Sequence, residues 1–243
     1  VWERPALSPG EEYPKWQTYY ASIDPVSEGK SVISESLVAI YIYKTATKVR
    51  KTDSDQTTTF IEQDKIVAAW CGRFDDINKT YQRLEMMIEW YNAWTVIENN
   101  ITGFIQYMEG QRKLRYLASK NDMIFLKEGN TNLNVYQDYG WRNTGRIFKD
   151  NILSYGIDYV SEELDHELKP DGTIVRTTYG VERIPDIMLL KEMKGYDPKA
   201  NTDRLVAYCA LVAFAKLQQS HRGTRERIED TGKALQKKNN LFK

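Results

Sequence analysis

Three carboxylates stand where apolar runs stop or start. Asp24 closes Tyr19-Tyr20-Ala21-Ser22-Ile23, Glu98 closes Trp94-Thr95-Val96-Ile97, and Asp203 opens the apolar stretch Leu205–Phe214. An acid at the rim of a buried element loses hydration and is costly unless its charge is compensated. Three such acids, far apart in sequence, would repel one another if they converged. Divalent cations relieve that repulsion, and Mg²⁺ and Mn²⁺ prefer oxygen ligands. Two such ions activate a water and stabilise the leaving oxygen of a phosphodiester. Asp24, Glu98 and Asp203 are therefore the candidate catalytic residues and metal ligands of a metal-dependent nuclease.

Each acid also has a plainer reading. Asp24 precedes Pro25, which pushes it to extended geometry, so it sits at a strand end. An Asp there equally serves by bonding its own turn. Glu98 runs into Asn99-Asn100, and ligand sites of open α/β sheets lie at the carboxyl ends of strands. It could instead partner a helix dipole beside an Asn cap. Asp203 could be an ordinary first-turn acid. Its neighbours at helical spacing, Val206, Ala207 and Ala210, are small and apolar, which places Asp203 on an inward face. Glu35 could add a fourth oxygen or be an exposed Glu.

The elements that must position these acids read as follows. Strands are expected at about 17–24, 35–44 and 58–71, with Lys48–Thr59 as a polar hairpin loop. Leu37-Val38-Ala39-Ile40-Tyr41-Ile42-Tyr43 suits a strand covered on both faces. Helical spacing of Ile77, Tyr81, Leu84, Met87 and Ile88 predicts a helix from Asp75 to Trp90. A strand at 94–98 and a helix at about 101–117 follow, then a short strand Ile124-Phe125-Leu126 and a polar loop at 128–140. Helices are expected at Asn143–Glu163, Ile184–Met193 and Asn201–Gln219, with a turn at Pro170-Asp171-Gly172. That order describes a single α/β domain with a central mixed sheet flanked by helices.

Composition narrows the classes. The 243 residues carry 34 Lys and Arg against 34 Asp and Glu, so no whole-protein field favours nucleic acid or membrane. The basic residues gather at the C-terminal end, where Lys216–Lys243 holds eight Lys or Arg and three acids. Such a tail either touches phosphate or is merely solvated. Cys71 and Cys209 sit among apolar neighbours and read as buried thiols of a reducing, cytoplasmic compartment. No Cys/His cluster suggests zinc, no apolar run spans a bilayer, and no signal peptide opens the chain. Residues 1–16 read as a Pro-rich linker after a missing N-terminal part, because the chain opens on Val1 with Pro5, Pro9 and Pro14.

Other motifs carry less. Gly29-Lys30-Ser31 looks like the end of a phosphate-binding loop, but Asp24 occupies the position of its first Gly and a strand follows. His166 and His221 are isolated in polar surroundings, and no nucleophile elbow is present.

Taken together, Ser22-Ile23-Asp24-Pro25, Val96-Ile97-Glu98-Asn99-Asn100 with Gly103, and Asn201-Thr202-Asp203-Arg204-Leu205-Val206-Ala207 resemble the nuclease domain of phage terminase large subunits. Gly145–Ile152 with Lys149, and Met188–Met193, resemble that family's segments ahead of the last acid. The resemblance spans residues 17–219. It implies a ribonuclease H-like fold and a two-ion Mg²⁺ or Mn²⁺ site held by Asp24, Glu98 and Asp203. It implies cleavage of double-stranded concatemeric DNA during genome packaging in the host cytoplasm. It also implies an N-terminal ATPase domain, a small terminase subunit and a portal as partners, with no membrane role. Many members carry a second acid beside the last one, where this chain has Asn201 and Thr202. Lys149 would touch phosphate or lie on the surface. Two alternatives stay open: another ribonuclease H-like nuclease, such as a resolvase or transposase core, and a non-catalytic DNA- or portal-binding module.

Overall fold

The computed structural model describes residues 1–8, 10–26, 37–53, 56–122, 138–143, 151–197 and 202–219. Side chains of residues 47–61 and residue 121 are outside that description. Its centre is a mixed sheet of β1 (Tyr19–Asp24), β2 (Val38–Lys44), β5 (Lys65–Gly72) and β6 (Trp94–Ile97), in the order β5-β2-β1-β6. β5, β2 and β1 pair antiparallel, and β6 lies parallel to β1. Leu117 extends the sheet beyond β6 through a parallel bridge to Thr95.

Alternation along β1 and β2 splits the core in two. Tyr19, Ala21, Ile23, Val38, Ile40 and Ile42 face α1 (Ile77–Tyr91) and α2 (Gly103–Gly110). Tyr20, Ala39, Tyr41 and Tyr43 face α3 (Leu153–Ser161), α4 (Ile187–Lys194) and α5 (residues 203–219). The central strands are thus apolar on both sides because both sides are covered. From Leu205 to Ala215 every residue of α5 is buried. It is a core helix, which explains its lack of a polar face.

The boundaries follow local chemistry. Asp76 caps α1 by accepting from the Asn78 N–H at 2.9 Å, and Asn92 ends it in the left-handed region at φ 45°. α2 is shorter than the predicted 101–117: it stops at Gly110, and Arg112 turns the chain out at φ 58°. α3 falls in the later part of the predicted Asn143–Glu163, and residues 144–150, with Lys149, lie outside the described residues.

The expected hairpin loop Lys48–Thr59 is instead a strand pair, β3 (Thr47–Asp53) and β4 (Gln56–Glu62). Its polarity hid a run of β-branched residues, Val49, Thr52 and Thr57 to Thr59, that suits a pleated ribbon. The expected strand 58–71 divides between β4 and β5. The turn at Pro170-Asp171-Gly172 joins two strands the sequence reading did not foresee, β7 (Glu163–Leu168) and β8 (Ile174–Tyr179). They are mostly exposed, so no apolar alternation marks them. Arg183 ties this region down, pairing with Asp64 at 2.7 Å and Glu162 at 2.6 Å and lying 4.0 Å over the Tyr159 ring.

The opening segment is not bare linker. The Trp2 and Glu3 N–H groups bond the Val67 carbonyl, and the Glu3 carboxylate bridges Lys44 and Lys65, each at 2.6 Å. No helix among the described residues is long and apolar enough to cross a membrane. Cys209 is buried, whereas Cys71 is only partly so, and both thiols are free. The segments 27–36, 123–137 and 220–243, which hold Glu35, the predicted strand 124–126, most of the 128–140 loop and the basic tail with His221, lie outside the described residues. His166 sits on the exposed β7, beside Thr177.

Candidate functional site

Parallel pairing brings two of the acids side by side. β1 and β6 pair Ser22 with Val96 and Ile23 with Ile97, so the next step in register sets Asp24 beside Glu98. The Glu98 N–H continues the ladder to the Ile23 carbonyl at 2.9 Å. Side chains alternate along a strand. Asp24 therefore shares the face of Tyr20, and Glu98 that of Val96, both of which pack toward α5. On the other side of Asp24 the register partner is Ala39, followed by Cys71.

Asp203 begins α5 above the same edge. Its Oδ2 accepts the Leu37 N–H at 2.8 Å, just ahead of β2. Because β2 runs antiparallel to β1, the start of β2 lies at the end of β1. All three predicted residues thus occupy one edge of the sheet, and on the α5 side.

Their charges act on one another. Desolvation, then the negative charges of Glu98, Asp203 and Glu192, raise the Asp24 pKa well above the usual carboxylate range. Burial pushes Glu98 up to about 7, with a further push from Asp203 and an opposing hydrogen bond from Asn143. Both Glu98 oxygens are held: Oε1 accepts from the Asn100 amide at 2.8 Å, and Oε2 from the Asn143 amide at 3.3 Å. Asn100 is thus a clamp for Glu98 through its side chain.

A fourth carboxylate joins them. Glu192 of α4 contributes to the Asp24 shift, and its own pKa is raised by desolvation, with the Asp203 charge adding to it. Its Oε2 accepts the Leu205 N–H at 3.0 Å. Next to Asp203, where a second acid would be expected, the chain has Asn201 and Thr202. The acid comes instead from the preceding helix. Its signal was an acid within the apolar helical run Ile187–Met193, close ahead of Asp203.

The donor set is oxygen only, which suits Mg²⁺ or Mn²⁺ and not zinc. Among the described residues, no three His, Cys, Asp or Glu side chains stand together as a ready-made ligand group. The acids share one field without sharing one coordination sphere. An open cleft of about 470 Å³ lies elsewhere, between Tyr13, Trp16, Glu89, Asn92, Arg115 and Tyr116.

Comparison of the chain with protein-family models, with curated proteins and with solved structures finds no match.

Proposed function

We propose that this chain is a divalent-metal-dependent endodeoxyribonuclease domain of ribonuclease H-like type, similar to the nuclease domain of a phage terminase large subunit. One observation carries the reading: Asp24 and Glu98 end adjacent parallel strands, and Asp24 is desolvated with the charges of Glu98, Asp203 and Glu192 acting on it. A desolvated carboxylate beside other carboxylates destabilises the fold unless a cation or a proton compensates it. The sheet order β5-β2-β1-β6 supports the same reading.

On this reading Asp24, Glu98 and Asp203 hold the ion through carboxylate oxygens only after closing in on it, since they do not stand as a ligand group among the described residues. When bound, it supplies Lewis-acid activation of water and neutralises charge on the phosphodiester. Asn100 and Asn143 orient Glu98, and the Leu37 N–H orients Asp203. Double-stranded DNA is the substrate on this reading, with an ATPase part, a small terminase subunit and a portal as partners. Contact with phosphate suffices for cleavage of low sequence preference.

The absence of a ready-made ligand group among the described residues favours a second reading, a non-catalytic DNA- or portal-binding module. Plasmid cleavage separates the two. The parent chain should nick or linearise plasmid in Mg²⁺ or Mn²⁺ and not in EDTA. Asp24→Asn keeps size and hydrogen bonding but removes charge, and should lower the rate at least about a hundredfold, the scale of losing one preorganised electrostatic group. Asp24→Asn cutting at the parent's rate would make Asp24 structural only. A parent chain inert in both metals would favour the binding module.

A further inference from the structure

The cleft between Tyr13, Trp16, Glu89, Asn92, Arg115 and Tyr116 lies at the end of the sheet opposite the acids. Trp16 precedes β1, and Trp94, whose ring lies 6.2 Å from it, opens β6. Asp24 and Glu98 stand at the far ends of those two strands. The volume of about 470 Å³ is in the range of small-molecule sites.

Its walls are aromatic. Trp16 is 38% exposed and Tyr13 53% exposed, although a planar ligand laid on either ring would gain stacking area. Tyr116 is buried beneath them, with its ring 6.1 Å from that of Trp16. The wall stands before any ligand arrives. The Asn92 amide donates to the Pro14 carbonyl at 2.8 Å, which ties the Tyr13–Trp16 segment to the end of α1. Rings fixed in this way lose little freedom on binding.

The two charges of the cleft differ in how they are engaged. Glu89 is paired with Lys113 at 2.7 Å. The Arg115 guanidinium lies 4.9 Å over the Tyr116 ring and donates to its hydroxyl at 3.1 Å, and among the described residues it joins no ion pair. An exposed guanidinium suits phosphate by shape and charge. A cationic ligand is disfavoured, because Arg115 already covers an aromatic face and would repel it. Glu89 has one oxygen on Lys113 and can still accept from the N–H groups of a base edge. We infer that this cleft is a nucleotide site, in which Trp16 and Tyr13 stack a base and Arg115 takes its phosphate. The inference does not rest on the metal-dependent reading above.

Calorimetric titration of the full chain with adenosine 5′-monophosphate in EDTA tests this. The parent should bind adenosine and ribose 5-phosphate each at least about tenfold more weakly than the nucleotide, because each lacks one of the two contacts. Tyr13→Ala and Trp16→Ala should each weaken nucleotide binding at least about fivefold, and Trp16→Phe should recover part of the loss by returning a ring. Arg115→Gln should lower the affinity for the nucleotide to that for adenosine and leave adenosine binding unchanged. Tyr13 and Arg115 are exposed, so their variants should melt as the parent does, which separates lost binding from lost fold. A short oligodeoxyadenylate distinguishes the two sources of a phosphate-bearing base. Tighter binding than the mononucleotide assigns the cleft to a single strand and weaker binding to a free nucleotide, and either meets the inference. A parent chain inert to both at millimolar concentration would overturn it. So would Tyr13→Ala and Arg115→Gln variants that bind the nucleotide as the parent does.

Discussion

At the residue scale, the site is defined by acids that act on one another's charge. Glu98 shows what that costs. Its ordinary pKa of 4.5 rises to about 7 in the fold, mainly through burial. Between those values the folded chain holds a proton that the unfolded chain has released, so stability falls as pH rises through the window. Asp24 is shifted in the same direction and adds to the slope. Glu3 and Glu62 have lowered pKa values, and their contribution is lost below 4.5, outside that window. The melting temperature in EDTA should therefore decline from about 4.5 to about 7, and Glu98→Gln should flatten the decline. A parent curve that rises across that interval would contradict the buried-acid description. These acids were legible in the sequence because each interrupts an apolar run. Glu192 also stands within an apolar run, but its place in the group depends on how α4 lies against α5, which no spacing along the chain encodes.

At the element scale, legibility tracked burial. β1, β2, β6, α1 and α5 are apolar runs or periodic stripes, and the sequence located them closely. The ribbons β3–β4 and β7–β8 carry no such pattern, and their pairing rests on backbone bonds. The prolongation of the sheet past β6 was equally hidden. There Gly140 passes close over the end of β6: it donates to the Ala118 carbonyl at 2.8 Å, and Trp141 donates to the Ile97 carbonyl at 2.9 Å. Gly140 has φ 69°, and a Cβ on it would press into the Ile97 carbonyl oxygen. Gly140→Ala should cost on the order of 2 kcal/mol or more, from the left-handed backbone and the clash together. It should also weaken Mn²⁺ binding, because Glu98 is the next residue. Gly172 has φ 83° in open space, so Gly172→Ala should cost only about 1 kcal/mol. Denaturant melts of the two variants compare these costs, and equal losses would mean that the contact with Ile97 is unimportant.

At the scale of the whole molecule, two cores on opposite faces of one sheet must both form before the acids meet. Asp24 ends the first strand, Glu98 follows the last strand of the central sheet, and Asp203 opens a helix deep in the second core. Contacts between such distant parts of a chain close late in folding, because the intervening loops must first be ordered. An ion that needs all three would then be absent from the folding transition state and present only beyond it. Mn²⁺ should slow unfolding and leave the refolding rate nearly unchanged. Stopped-flow refolding with and without Mn²⁺ measures this, and a refolding rate that climbs with metal would show the acids assembling early. The placement also imposes an order of events on any cleavage the chain performs. A half-made or partly unravelled copy has the carboxylates but not their meeting point, so it cannot cut. On the nuclease reading, cleavage would wait until α5 has docked.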